Sequence, residues 1–140
     1  MLSRTSEYAL RAAIYLARAG DENTTAQKVA EATQVPDGYM SKVLNTLARA
    51  KIVSSQRGPS GGFSLTVPPE ELTMLRVVEA VEPLPRIEKC PPDLEGHNRE
   101  LCTLHAVLGS LVRGVATTLG ETTIAQLINA PPPPNANSLD

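Results

Sequence analysis

Apolar residues recur three and four positions apart through most of this chain and alternate with polar ones in only one short stretch. Leu10, Ala13, Ile14 and Ala17 form one stripe, predicting a helix over residues 5–19 that Gly20 ends, with a turn at 21–23. Arg4, Arg11 and Arg18 stand seven apart, which puts them on a single solvated face of that helix. Thr24 and Thr25 then cap a short helix over 26–33 whose Val29 and Ala30 face inward. Val35-Pro36-Asp37-Gly38 breaks it, because a residue before proline avoids the helical region. A third helix follows over 38–51, with Asp37 as its expected cap and Met40, Val43, Leu44 and Leu47 as its inner stripe.

The period then falls to two. Phe63, Leu65 and Val67 alternate with Ser64 and Thr66, predicting a hairpin of strands over 52–57 and 62–67 joined by residues 58–61. Glycines at its tip permit positive φ and close approach to another surface. Beyond Pro68 and Pro69, Thr73 caps a predicted helix ending near Glu82, with Leu75, Val78 and Val81 inward. Pro83, Pro85, Pro91 and Pro92 exclude a helix between 83 and 95, the stretch that holds Cys90. A long helix is expected over 98–118, where Leu101, Leu104, Leu108, Leu111 and Val115 are spaced 3, 4, 3 and 4 apart. That heptad-like seam is the pattern of a helix packing along a partner helix. Gly109 and Gly114 each cost it about 1 kcal/mol of intrinsic propensity, so packing must hold it. A short helix over 122–129 is stopped by the prolines at 131–134, and the tail beyond is expected to be disordered. There is no internal repeat.

Three short helices and a hairpin, in that order, make a winged helix-turn-helix. The expected fold is therefore mainly α with a small β-hairpin, extended by a long carboxy-terminal dimerisation helix. The expected organisation is a DNA-binding domain over 1–67, a helix, sensor loop and dimerisation helix over 68–130, and a tail over 131–140. With 140 residues, 41% of them hydrophobic and few aromatic, the core must come from Ala, Val, Leu and Ile. No run of apolar residues is long enough to span a membrane, and the charged amino terminus is no signal peptide, so a cytoplasmic location is expected.

The net charge of −2 conceals an asymmetry. Residues 1–67 hold eight basic and five acidic side chains (+3), and residues 68–140 hold five and ten (−5). A polyanion would be met by the first half. In the winged geometry the third helix enters the major groove, with Gly38, Tyr39, Ser41 and Lys42 at the end that reaches base edges. Arg57, beside Gly58, Gly61 and Gly62 at a slim wing tip, suits the narrow minor groove. A winged helix used only for protein contact is the competing reading of these residues. An enzyme is not expected, since no phosphate loop, nucleophile elbow or paired-carboxylate site is present.

The string VPDGYMSKVLNTLARAKIVSSQRGPSGGFSLT resembles the recognition helix and wing of the IscR/NsrR-type family of bacterial winged-helix repressors. LSRTSEYALRAAIYLA is similar to that family's first helix, TMLRVVEAVE to its helix after the wing, and LCTLHAVLGSLVRG to its dimerisation helix. The resemblance runs over about residues 2–128 and implies a homodimer reading a palindromic operator. It makes Tyr39, Ser41 and Lys42 base and phosphate readers and Arg57 the minor-groove arginine.

Many members of that family carry an iron–sulphur cluster on three cysteines. Here Cys90 and Cys102 match the outer two, the middle one is absent, and Cys102-Thr103-Leu104-His105 matches a C-x-x-H element. Cys90, His97, Cys102 and His105 are the chain's only cysteines and histidines. Residues i and i+3 share a helix face, so Cys102 and His105 could bind one centre, and imidazole can replace thiolate in a 2Fe–2S cluster. The fourth ligand is left open between His97 and, by the resemblance, Glu7 supplied by a partner subunit. A thiol switch without metal is the alternative. Glu7 could equally be a plain ion-pair partner of Arg11, and Cys102 a small buried hydrophobe.

Overall fold

Ser3 opens the first helix, α1 (Arg4–Ala19), by accepting the Ser6 amide proton on its side chain at 3.1 Å. The computed structural model describes residues 2–90 and 102–131. Ala9, Leu10, Ala12, Ala13 and Leu16 of α1 are buried, and Arg4, Arg11 and Arg18 are exposed as their spacing requires. The small residues along this stripe let the neighbouring helices approach closely.

Thr25 caps α2 (Ala26–Thr33) through the Lys28 amide, and Gln34 ends it in the left-handed region at φ 58. The next helix, α3 (Asp37–Arg49), begins one residue earlier than expected. Its N-cap is Pro36, with no side-chain capping bond, and not Asp37. Asp37 instead occupies the first turn, where a carboxylate suits the positive end of the helix dipole. Met40, Val43, Leu44 and Leu47 form the buried face, as their period demands.

Strands β1 (Val53–Gln56) and β2 (Gly62–Leu65) pair antiparallel, with Val53 opposite Leu65 and Gln56 opposite Gly62. They are shorter than the alternation implied, because the Gly61 amide bonds back to Gly58 O and closes a tight tip. A further pairing was not foreseen. Thr24, buried in the link between α1 and α2, exchanges both backbone hydrogen bonds with Phe63, at 2.9 and 2.8 Å. The wing is thereby stitched to the helical body, and the Asn23 side chain adds a bond to Gln56 Oε1 at 2.9 Å.

Thr73 caps α4 (Met74–Val81) as anticipated, and Thr123 opens α6 (Ile124–Asn129) with a capping box to Gln126. The Met74 amide bonds Thr122 O, and the Ile124 amide bonds Leu72 O, so the chain's far end returns to the start of α4. One hydrophobic cluster contains Leu16, Val29, Leu44, Ile52, Leu72, Val77, Val78 and Ile124. It spans α1 to α4 together with α6. The long helix α5 (Thr103–Glu121) leaves much of its surface outside this cluster.

Cys102 is the extended N-cap of α5 and does not lie inside a helix, contrary to the expected span of 98–118; the helix also runs to Glu121. Residues 98–101, Leu101 among them, lie outside the described residues, as do His97 and the tail over 132–140. Residues 83–90 are irregular, as their prolines dictate. Gly109 has a role that propensity alone hides. A Cβ there would lie 2.9 Å from Ile87 O, so its missing side chain lets the loop that leads to Cys90 rest directly on α5.

Candidate nucleic-acid interface and cysteine–histidine centre

Two sites separate on this frame. The first is the outer face of α3 with the wing. Tyr39 is 56% exposed, Lys42, Asn45 and Arg49 are exposed, and Ser41 is half-buried. Arg57 and Gly58 stand exposed at the wing tip. The four candidate glycines differ in what they do. Gly58 sits at φ 105 in open space, whereas a Cβ on Gly61 would meet Gln56 O at 2.3 Å. Gly62, at φ 143, passes so close to Thr24 that a Cβ would lie 2.7 Å from its carbonyl. Gly61 and Gly62 are therefore demanded by the wing's own backbone. Gly38 is exposed, with nothing within 4 Å of an added Cβ and no positive φ, so no internal packing accounts for it.

Sequence reasoning missed an aromatic pair behind this face. Tyr8 of α1 meets Tyr39 edge to face, with centroids 6.0 Å apart and planes at 77°. The Arg11 guanidinium lies over the Tyr8 ring at 5.9 Å and also donates to Thr33 O at 3.2 Å. Glu7 pairs with Arg11, so within one chain its exposed carboxylate serves the ordinary i,i+4 ion pair. No periodicity signals the Tyr8–Tyr39 and Arg11–Thr33 contacts, because each joins two separate helices through single side chains.

The second site lies at the amino-terminal end of α5. Ligand atoms of Cys90, Cys102 and His105 all fall within 4.8 Å of one another. Cys102 Sγ is 3.0 Å from His105 Nδ1, and the Cys102 amide donates to Cys90 Sγ at 3.3 Å. The N-cap and third helical positions face one another across a first turn, which is why the C-x-x-H spacing works even though Cys102 precedes the helix. No disulfide joins the two cysteines. The residues are half-buried, so a bound group would be shielded yet reachable. Two sulfurs and an imidazole converging in this way fit the donor set of an iron–sulphur or other thiolate-loving metal centre. Glu7 of the same chain is not part of this group.

Beyond the site, α5 exposes Leu104, Val107, Leu108 and Leu111, at 62, 54, 38 and 61%. Leu104, Leu108 and Leu111 are members of the expected seam, standing uncovered in a single chain. No helix among the described residues is long and apolar enough to cross a membrane.

Comparison with known proteins agrees with this architecture. A protein of Aquifex aeolicus (strain VF5) named "Putative HTH-type transcriptional regulator" is 30% identical over 132 residues, covering 92% of each chain. The oxidized form of Staphylococcus aureus CymR superposes with a TM-score of 0.74 at 24% identity, covering 94% of this chain and 98% of that one. T. potens IscR superposes with a TM-score of 0.75 at 19% identity, covering 91% and 85%. Residues 2–130 match the Rrf2 family, described as iron-dependent transcriptional regulators, and the chain belongs to that family of winged-helix regulators.

Proposed function

We propose that this chain acts as a homodimeric, sequence-specific DNA-binding repressor whose affinity is set at the Cys90–Cys102–His105 centre. Residues Gly38, Tyr39, Ser41 and Lys42 read a major groove, and Arg57 on the tip formed by Gly58, Gly61 and Gly62 enters the adjacent minor groove. Two copies joined along α5 present two such heads to a palindromic operator.

The observation that carries the sensing part is the convergence of two thiols and an imidazole within 4.8 Å at the root of the exposed helix. Cys90, Cys102 and His105 would hold an iron–sulphur centre of the 2Fe–2S type, with Glu7 of a second copy as the fourth ligand and His97 as the alternative. Bound there, such a centre supplies one-electron redox chemistry and reactivity toward oxidants and nitric oxide. This chain's own part is mechanical. The 83–90 loop lies against α5 at Gly109, and α5 carries the seam, so a change at Cys90 or Cys102 is passed to the spacing of the heads as a shift between two populations.

Protein purified without oxygen is expected to absorb between about 320 and 460 nm and to contain iron, both lost in Cys102→Ser. Iron-free, colourless protein would overturn the cluster. A specific observation favours a second reading, a thiol switch. Both sulfurs already lie within 4.8 Å, and a relative of the same fold is known in an oxidized form. That reading predicts iron-free protein that loses two hydrogens by mass on peroxide treatment, forming a Cys90–Cys102 disulfide.

A further inference from the structure

Tyr39 is more than half exposed and stands in the first turn of α3. It does not stand alone. The Tyr8 ring meets it at 6.0 Å and 77°, a geometry that aligns the positive edge of one ring with the negative face of the other. Tyr8 in turn is held within α1. Its backbone belongs to α1 between the buried Ser6 and Ala9, and the Arg11 guanidinium covers its ring. Arg11 is anchored to Thr33 O at the end of α2 and to Glu7. The Tyr8 ring therefore meets Tyr39 of α3 directly and is tied to the end of α2 through Arg11.

We propose that Tyr8 is a specificity-determining positioning residue: it touches no DNA, but fixes the orientation in which Tyr39 presents itself to the groove. The inference rests on Tyr39 being a reader, and deepens that assignment. Holding a side chain in its binding rotamer beforehand removes an ordering cost from the specific complex alone, because non-specific binding runs through phosphates. Losing the Tyr8 ring should thus cost selectivity and not general affinity.

The test is fluorescence anisotropy with two duplexes, a site selected from a random pool by the wild-type protein and an unselected duplex. The variants are Tyr8→Phe, Tyr8→Leu, Tyr39→Ala and the Tyr8→Leu/Tyr39→Ala double. Leucine keeps an apolar side chain at this half-buried position, and circular dichroism checks the fold. Tyr8→Leu is expected to weaken the selected site about threefold to tenfold, leave the unselected duplex and the salt slope unchanged, and be rescued by Tyr8→Phe. The double variant should be no worse than Tyr39→Ala. Additive losses, or equal losses on both duplexes, would overturn the inference while leaving Tyr39 a reader. Wild-type selectivity in Tyr39→Ala would remove the reader itself, and the inference with it.

Discussion

Leu104→Glu combined with Leu111→Glu is expected to yield a folded monomer that binds the operator at least a hundredfold more weakly than the wild type. The two leucines are seven residues apart, hence on one face of α5, and they are 62 and 61% exposed in the single chain. Glutamate at either position therefore meets water in the monomer and costs its fold little. In a dimer packed along this face the same four carboxylates would face each other across an apolar seam, where unpaired charge is strongly disfavoured. Helix α5 keeps its own supports in the monomer. Leu119 is buried against the core, and Gly109 lies under the Ile87 carbonyl. The loss in DNA affinity follows from valency: two linked heads exceed either alone by about 10²–10⁴. Sedimentation gives the mass, circular dichroism the helix content, and a binding titration the affinity. A double variant that remains dimeric would place the interface elsewhere.

The second large effect is structural. Gly62→Ala is expected to destabilise the protein by about 3 kcal/mol, a fall in Tm of about 10 °C, and to weaken DNA binding further by displacing the wing. Gly62 combines φ 143 with a Cβ position 2.7 Å from the Thr24 carbonyl atoms and 2.9 Å from its nitrogen. These are backbone atoms and cannot rotate aside. Relief requires opening the Thr24–Phe63 hydrogen bonds, which tie the wing to the link between α1 and α2. Gly58→Ala is the control, since its Cβ would enter open space and only its φ of 105 opposes the change. A thermal melt on both variants decides it, and equal melting temperatures for Gly62→Ala and wild type would refute the close approach.

Both effects concern features that the sequence reveals unequally. Helix α2, the stripes of α1 and α3, and the Thr73 cap follow from periods and caps that act within a few residues, and each was legible. The leucine stripe of α5 was legible too, because spacings of three and four put Leu104, Leu108 and Leu111 on one helix face. The Thr24–Phe63 pairing was not legible: two residues 39 apart pair through backbone atoms, which no side-chain pattern encodes. The start of α3 was misread because Asp37 has the chemistry of a cap, while the chain geometry set by Pro36 already supplies the N-terminal turn. Gly109 reads from sequence as a weak point of a helix; it is also the place where the loop bearing Cys90 lies against that helix. At the candidate centre, residue type and spacing singled out Cys90, Cys102 and His105, and the fold brings those three together. Glu7, by contrast, pairs with Arg11 and is not part of this group within one chain.

If this winged helix reads DNA through α3 and the wing, Lys42 and Arg57 set how its binding responds to salt and to sequence. Binding of the wild type, Lys42→Ala and Arg57→Ala to a selected duplex and to an unselected one is followed between about 50 and 200 mM salt. The wild type should hold the selected duplex at about 10⁻⁸ to 10⁻¹¹ M, at least a thousandfold tighter than the unselected one, with a steep linear fall in log affinity against log salt. Lys42→Ala should lower that slope by about one, and Arg57→Ala should reduce discrimination. Equal affinity for both duplexes, or a slope that neither substitution changes, would mean that α3 and the wing do not read DNA.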